Sequence, residues 1–219
     1  MSRRIGVIIA GFILTATSAW AQGAEVSASV GYSASEGVST SRGPVLGQLY
    51  DRLSVNSGGS FNFTFGVFLN EQAEVEFLFG LQSSRLDATG AGPTLQVSEM
   101  NVNHYMGNFV YNWGSHDTKV RPYIFGGIGA TNFAFGTNLL TGSTGSIPND
   151  TQVSTNWGGG VKFMFARSFG AKVGLRWTPT YMGSSTDGIW CDPFYGCWPI
   201  GQHHNVNQFE TAGGLVLKF

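Results

Sequence analysis

Apolar and polar residues alternate with a period of two through much of this chain. In the clearest segment, residues 57–69, three phenylalanines alternate with serine, asparagine and threonine. Successive side chains of a β-strand point to opposite faces, so the pattern predicts strands with one apolar and one polar face. Eight segments between turn signals show it, at residues 24–33, 57–69, 73–83, 99–113, 120–135, 153–165, 170–182 and 207–219.

The connections between the eight predicted strands alternate in length. Three are short, at residues 70–72, 114–119 and 166–169, and four are long, near residues 34–56, 84–98, 136–152 and 183–204. Short turns on one side and long loops on the other are typical of bacterial outer-membrane barrels, in which the turns are periplasmic and the loops extracellular. An even number of strands also places both termini on one side of the membrane.

Composition narrows the fold class further. Charged residues make up only 11% of the chain, against roughly 25% in soluble domains. Beyond the N-terminal segment no apolar run is long enough for a spanning helix, and a membrane protein without helices must be a closed barrel that pairs all its backbone polar groups. We therefore predict an all-β fold, an eight-stranded antiparallel up-and-down transmembrane β-barrel. The net charge of -1 gives no indication of nucleic-acid binding.

Residues 1–21 have the features of a cleaved signal peptide. Arg3 and Arg4 precede an apolar run, and Ala19-Trp20-Ala21 matches the small-residue pattern of a cleavage site. The apolar run is shorter than the ~20 residues of a spanning helix. We expect residues 22–219 to form one barrel domain in or beyond the periplasm.

Four segments together resemble the opacity-type and outer-membrane-protein-A-like family of small barrels: residues 121–130, 158–165 and 174–182, and the terminal Phe219. The resemblance spans nearly the whole mature chain. It implies a place in the bacterial outer membrane, among membrane lipid and lipopolysaccharide, where we expect the protein to be a monomer. In such barrels the closing strand with its terminal aromatic residue is read by the outer-membrane assembly machinery. The resemblance therefore implies that Phe219 is an assembly signal.

Nine charged side chains fall on the polar parity of the predicted strands. They are Glu25, Glu74, Glu76, Arg121, Lys162, Lys172, Arg176, Glu210 and Lys218. The interior of an eight-stranded barrel is just wide enough for side chains to fill it, and charges buried there need partners. We interpret the nine residues as an ion network that fills the lumen. The alternative is a path for ions or small solutes.

Two cysteines, Cys191 and Cys197, lie in the last long loop. Two cysteines in an exported chain most simply form a disulfide. Zinc binding together with His203 and His204 is the alternative, but the spacing matches none of the common zinc patterns. We expect a disulfide, and neither a metal nor a cofactor.

The same loop carries four aromatic residues within nine positions: Trp190, Phe194, Tyr195 and Trp198. Aromatic residues at such a place pack within the loop or rest at the membrane interface. They also serve as anchors in protein interfaces, which makes this loop a candidate site for a host or cell-surface ligand. The sequence leaves both interpretations open.

Some small outer-membrane barrels modify lipid A, and a deacylase of this kind needs a serine nucleophile beside a histidine. The His-x-Ser signature of these enzymes is absent here, because neither His104 nor His116 has a serine two positions later. We predict no catalytic residue. The predicted function is a non-enzymatic structural or surface-interaction role carried by the loops, with a narrow channel and a lipid A-modifying enzyme as alternatives.

Overall fold

A computed structural model describes residues 23–35, 38–45, 48–90, 94–115, 117–138, 150–181, 189–192, 196–199 and 205–219. The predicted signal peptide, residues 1–21, lies outside these ranges. The described strands are β1 (Ala24–Ser35), β2 (Val38–Val45), β3 (Gln48–Val55), β4 (Gly58–Phe68), β5 (Ala73–Gly90), β6 (Leu95–Asn112), β7 (Val120–Asn138), β8 (Asp150–Met164), β9 (Phe169–Tyr181), β10 (Ile189–Asp192), β11 (Gly196–Pro199) and β12 (Asn205–Lys218). Within these ranges, no helix is long and apolar enough to cross a membrane.

Eight of the strands close into a barrel in the order β1, β4, β5, β6, β7, β8, β9, β12 and back to β1. All of these neighbours are antiparallel. The seam between the first and last strands runs from the pair Glu25 and Lys218 to the pair Ser35 and Gln208. The predicted eight-stranded antiparallel barrel is confirmed.

The stagger of the strands follows from the register of opposed residues. When the directly opposed residues are followed from strand to strand around the barrel, beginning at Ala34 on β1, they lead back to β1 at Ala24. The shift is ten residues. Closing a sheet with such a shift requires strands tilted by about 35–45° from the barrel axis. Residues far apart in sequence and on opposite walls are thereby brought to the same height.

The two parities of the period-two alternation lie on the two faces of the barrel wall. Phe61, Phe63 and Phe65 are between 42% and 46% exposed on the outside, while Asn62 and Thr64 between them are buried in the lumen. A water-soluble domain shows the reverse arrangement. The wall is therefore suited to lipid outside and to packed polar groups inside.

We call the end of the barrel with the connections 69–72, 113–119 and 165–168 the turn end, and the other the loop end. Exposed aromatic side chains encircle the outside near both ends. Near the turn end they are Trp113, Phe163, Phe165, Phe169 and Phe219, and near the loop end Tyr32, Tyr105, Trp157, Trp177, Tyr181 and Phe209. Aromatic belts of this kind mark the two interfaces of a membrane-spanning barrel.

All four of the connections predicted as long loops contain strand residues, and in residues 136–152 these are the ends of β7 and β8. The hairpin of β2 and β3 occupies most of residues 34–56, and β3 pairs with the upper part of β5, beyond the start of β4. The hairpin of β10 and β11 lies within residues 183–204, and β5 and β6 extend into residues 84–98. A strand that lies beyond the lipid does not need an apolar face. The period-two alternation of apolar and polar residues therefore did not predict these segments.

Candidate functional site

The most densely charged layer of the lumen lies at its turn end. Lys162 on β8 extends inward, and its Nζ atom lies 2.5 Å from Glu25 Oε1 and 3.1 Å from Glu74 Oε2. All three side chains are buried. Buried charges are tolerated when close pairing and hydrogen bonding offset their desolvation. Because β1, β5 and β8 belong to different parts of the wall, Lys162 links the barrel across its axis.

Two aromatic rings enclose the Lys162 ammonium group. Its Nζ atom lies 5.8 Å from the centre of the Phe68 ring and 5.5 Å from that of Tyr123. The Arg121 guanidinium and the Lys218 ammonium group also lie over Phe68, at 5.7 and 5.4 Å. The face of an aromatic ring attracts cations. Phe68 thus gathers the three cations of this layer around one buried ring.

Phe68 was not among the predicted site residues. The signal for it was its position, since it continues the polar parity of β4 after Asn62, Thr64 and Gly66. An aromatic residue on that parity points into the lumen, where this ring is fully buried. Arg121 in the same layer donates from Nη2 to the Glu71 carbonyl oxygen at 2.9 Å. The layer is therefore tied to the short turn between β4 and β5.

A second group of charges lies at mid-height. Lys172 Nζ is 3.6 Å from Glu76 Oε2, and Arg176 is paired with Glu210. The Asn62 amide joins the latter pair, donating to Glu210 and accepting from Arg176 Nη2 at 3.1 Å. Both pairs and the amide are largely buried, so each polar group here has a partner in place of water.

Amide side chains continue this group across the lumen. Asn108 donates to Glu76 Oε1 at 3.0 Å, and Asn156 donates to Asn108 Oδ1 at 2.9 Å. Thr178 in turn donates to Asn156 Oδ1 at 3.4 Å. This series of hydrogen bonds connects β5, β6, β8 and β9 and fixes the orientation of the Glu76 carboxylate.

A cavity of about 50 Å³ remains beside these pairs, lined by Asn62, Glu76, Lys172, Arg176 and other residues. A water molecule needs at least ~10–15 Å³ measured in this way, so the space suits a few waters. Tyr123, which also lines the cavity, lies over Gly160 and Gly174: a Cβ atom added at Gly174 would be 2.6 Å from the Tyr123 hydroxyl oxygen. The missing side chain there makes room for the tyrosine.

Toward the loop end, hydroxyl and imidazole side chains take the place of the ion pairs in the described part of the lumen. His104 Nδ1 lies 3.0 Å from Thr131 Oγ1, and Ser154 Oγ lies 2.7 Å from Thr131 Oγ1 and 2.9 Å from Thr180 Oγ1. All four side chains are buried. The histidine and its hydroxyl partners are enclosed in the barrel and hydrogen-bond to one another. Their role is therefore structural.

An apolar cluster lies beyond the hydroxyl groups. Met100 and Val102 on β6 pack with Phe133 on β7, and all three are buried. Because they lie on the inward parity of the strands, they face the lumen rather than the lipid. Apolar packing therefore takes the place of ion pairs at the loop end.

The nine predicted lumen charges all lie on inward-facing positions. The structure brings seven of them into four ion pairs: Glu25, Glu74, Glu76, Lys162, Lys172, Arg176 and Glu210. It places the remaining two, Arg121 and Lys218, over Phe68.

The cysteines lie in the hairpin of β10 and β11. Cys191 is directly opposite Cys197, and Trp190 is directly opposite Trp198. Opposed residues of antiparallel strands have Cα atoms about 4.5–5.5 Å apart, within the range of ~4.4–6.8 Å for a disulfide. The disulfide stays a prediction that this register supports.

Other predicted site residues of the same loop, Phe194 and Tyr195, lie outside the described residues, as do His203 and His204. In the ranges that are described, no three histidine, cysteine, aspartate or glutamate residues are grouped to hold a metal ion.

The closing strand carries Phe219 at the turn end. The backbone amide of Phe219 donates to the Ala24 carbonyl oxygen at 2.8 Å, and the Ala24 amide donates back at 3.2 Å. The Phe219 side chain is 76% exposed on the outside of the barrel. Its role as an assembly signal stays a prediction.

Comparison with known proteins places this architecture in a family. The family model of the outer membrane protein beta-barrel domain matches residues 7–198, most of the chain. A search of curated proteins finds no match. The narrower opacity-type resemblance stays a prediction.

Solved structures show the same fold. The outer membrane protein OprG from Pseudomonas aeruginosa aligns with a TM-score of 0.63 and 13% identity over 91% of this chain and 97% of its own. Neisserial surface protein A aligns with a TM-score of 0.58 and 14% identity over 90% and 97%. The outer membrane protein AlkL aligns with a TM-score of 0.50 and 19% identity over 92% of both chains. The chain belongs to the outer membrane protein β-barrel family, and it is a protein of the bacterial outer membrane.

Proposed function

We propose that this protein is a non-enzymatic surface-interaction barrel, a closed scaffold that presents its loop-end segments to a host or cell-surface ligand. The asymmetry of its connections indicates that the turn end is periplasmic and the loop end extracellular. The filled lumen carries the proposal: Lys162 reaches across the axis to Glu25 and Glu74. With the interior closed, the loop-end segments are the part of the protein open to a partner.

The cavity at mid-height supports a closed lumen, because its volume of about 50 Å³ has room for only a few waters. A conducting pore needs a continuous polar path with sites that an ion can enter and leave. Here ion pairs reach across the turn end, and the apolar cluster of Met100, Val102 and Phe133 faces the lumen near the loop end.

The extracellular hairpins support the interaction role. β3 pairs with β5, and β10 pairs with β11, so part of the loop region has a defined backbone. Ordered backbone lowers the entropy that a binding surface loses when it engages a partner. A Cys191–Cys197 disulfide would hold the second hairpin in the same way and would keep Trp190 and Trp198 paired.

Replacement of residues 184–203 by a short turn tests the interaction role. We expect the shortened barrel to keep its folded-barrel gel mobility and to lose binding to cultured cells and extracellular matrix. A variant shortened in residues 139–149 instead is the matched control. Unchanged binding by the 184–203 variant would refute an interaction role for this loop.

The aromatic residues of the hairpin are tested separately. In a Trp190→Ala/Trp198→Ala double variant, we expect lost binding and an unchanged barrel, because aromatic anchors supply much of the binding energy of an interface. Full binding by this variant, together with loss of binding by the shortened barrel, would show that other residues of the loop form the site.

Conductance across a planar bilayer distinguishes the scaffold from a channel. We expect the unmodified protein to give no large conductance. A Glu76→Ala variant, which leaves Lys172 without its carboxylate, should lower thermal stability more than it changes conductance. A large conductance of the unmodified protein would refute the closed lumen and favour the channel.

Lipid A analysis tests the enzyme alternative. Lipopolysaccharide incubated with the refolded protein should give an unchanged mass spectrum of lipid A. A shift equal to the loss or gain of an acyl chain would establish an enzyme and would contradict the proposal.

The closing strand is proposed to act with the assembly machinery. A Phe219→Ala variant should reduce the amount of barrel assembled in cells while leaving refolding in detergent unchanged, because the hydrogen bonds of Phe219 with Ala24 use backbone atoms that the substitution keeps. Normal assembly of this variant in cells would remove the assembly role.

A further inference from the structure

The outer wall carries a row of hydrogen-bonded polar side chains near the loop end. Asn103, Asn132 and Thr151 are directly opposed on β6, β7 and β8. Asn132 Nδ2 donates to Thr151 Oγ1 at 2.8 Å, and Asn103 Nδ2 lies 3.5 Å from Asn132 Oδ1. All three lie on the parity that faces lipid elsewhere on these strands, for example at Ile124 and Ile128. The row therefore stands where the apolar band of the wall ends.

The outward positions directly below this row, on the side of the membrane, are Tyr105, Ala130, Val153 and Tyr181. The two tyrosines are 43% and 45% exposed, and Ala130 and Val153 lie between them in register. This part of the wall thus has a polar row above, small apolar side chains below it and a tyrosine on either side.

Further polar groups continue this part of the wall along β8. Trp157 Nε1 donates to Thr155 Oγ1 at 3.2 Å, and Thr155 Oγ1 lies 3.5 Å from the Tyr181 hydroxyl oxygen. All three side chains lie on the outside near the loop end, so hydrogen-bonding groups follow the lipid-facing wall below the row.

Other outward polar side chains near the loop end are arranged differently. Trp177 Nε1 donates to Asn207 Oδ1 at 3.2 Å between β9 and β12, and Thr211 on β12 is directly opposed to Tyr32 on β1. The row on β6, β7 and β8 is distinct in that amide and hydroxyl side chains of three neighbouring strands are joined to one another.

The chemistry of the row identifies a ligand class. Asparagine amides both donate and accept, as do threonine and tyrosine hydroxyls, and sugar hydroxyls do the same. A phosphate or carboxylate ligand would call for arginine or lysine, and Asn103, Asn132 and Thr151 are all neutral. In the outer membrane, the layer just beyond the apolar band on the extracellular side contains the sugar headgroups of glycolipids.

We propose that Asn103, Asn132 and Thr151, with Tyr105 and Tyr181, bind the sugar headgroup of an outer-leaflet glycolipid of the lipopolysaccharide class. The acyl chains of the same molecule lie along Ile128 and Val153, which are 63% and 57% exposed below the row. Continuity between the polar row and this apolar wall favours a membrane lipid over a soluble glycan, since both parts of the molecule find their matching surface.

The test compares two lipids and two variants in phosphatidylcholine nanodiscs. The wild-type barrel should gain thermal stability on addition of rough lipopolysaccharide, and not on addition of phosphatidylglycerol, which has a charged phosphate and no sugar. An Asn103→Val/Asn132→Val/Thr151→Val variant should lose at least half of that gain. A Ser83→Val/Thr211→Val variant, changed at exposed outward positions elsewhere on the wall, should keep all of it.

Three results would overturn the proposal: a full gain in the triple variant, an equal gain with phosphatidylglycerol, or no gain in the wild-type barrel. If the triple variant does not refold, the Asn132→Ala variant serves in its place, because Asn132 is the central member of the row and contacts both neighbours. Retention of bound lipopolysaccharide by native mass spectrometry gives a second measurement that does not depend on unfolding.

Discussion

The two ends of the lumen are packed with different interactions. At the turn end, Lys162 bridges Glu25 and Glu74 over the Phe68 ring. At the loop end, hydroxyl groups around Thr131 give way to apolar packing around Phe133. The same barrel geometry therefore accommodates buried ion pairs at one end and hydroxyl and apolar packing at the other.

The difference follows from what surrounds each end. The turn end is bounded by short connections that provide little chain to cover the interior, so long charged side chains reach across it. At the loop end β5, β6 and β7 extend beyond the other strands, and β3 adds to their sheet. There the protein has enough chain to form a small apolar cluster. We therefore expect barrel stability to fall strongly when one ion-pair partner is removed at the turn end. A change to one side chain at the loop end should lower it only slightly.

The largest effect is expected at Lys162. A Lys162→Met variant leaves Glu25 and Glu74 buried without their cation, and breaking a buried pair in this way costs about 3–5 kcal/mol. The free energy of unfolding in urea, measured in phosphatidylcholine vesicles, should fall by that amount. A triple variant that also carries Glu25→Gln and Glu74→Gln is the control and should recover much of the loss. A loss below about 1 kcal/mol in the single variant would mean that the layer is hydrated rather than sealed.

The mid-height pair is expected to show a smaller but measurable coupling. A double-mutant cycle of Arg176→Met and Glu210→Gln isolates the interaction between these two side chains. Because Asn62 contacts both partners and can retain one of them, we expect a coupling energy of about 1–3 kcal/mol. Additive effects of the two substitutions would contradict the pairing and would weaken the contrast between the two ends.

Gly174 tests whether tight packing also contributes at mid-height. A Cβ atom there would lie 2.6 Å from the Tyr123 hydroxyl oxygen, so Gly174→Ala should cost about 1–3 kcal/mol through overpacking. Addition of Tyr123→Phe removes that oxygen and should recover part of the loss.

Gly160 is the matched control for this effect. A Cβ atom at Gly160 would lie 2.9 Å from the Tyr123 hydroxyl oxygen but only 2.0 Å from the Val173 carbonyl oxygen, which belongs to the backbone. Tyr123→Phe removes the first contact and leaves the second, so it should rescue Gly160→Ala much less than Gly174→Ala. Equal rescue at both glycines would show that the tyrosine does not determine the packing.

The faces of the strands could be predicted from sequence, but the partners of the charges could not. The parity of β4 alone separates Phe61 and Phe63 from Asn62 and Thr64, because lipid and lumen impose opposite polarity on successive residues. The pairing of Lys162 with Glu25 depends on the ten-residue stagger of the closed barrel. Stagger is a property of all eight strands together, and a local pattern contains no information about it.

Two features escaped prediction for identifiable reasons. Phe68 is an aromatic residue among lumen positions, and composition associates aromatic residues in barrels with the lipid-facing belts. The hairpin of β2 and β3 lies beyond the lipid, where neither face of a strand must be apolar. In both cases the environment that determines the residue type differs from the membrane wall that the alternation describes.

The smallest effect is expected at the loop end, where Thr131 is the central hydroxyl. A Thr131→Val variant keeps the volume of the side chain but removes the oxygen that lies 3.0 Å from His104 Nδ1 and 2.7 Å from Ser154 Oγ. Loss of a neutral hydrogen bond costs about 1 kcal/mol, and Ser154 retains Thr180 as a partner. Urea unfolding in the same vesicles should therefore show a loss well below that of Lys162→Met. A loss equal to that of Lys162→Met would mean that the hydroxyl groups, and not the apolar cluster, hold the loop end closed.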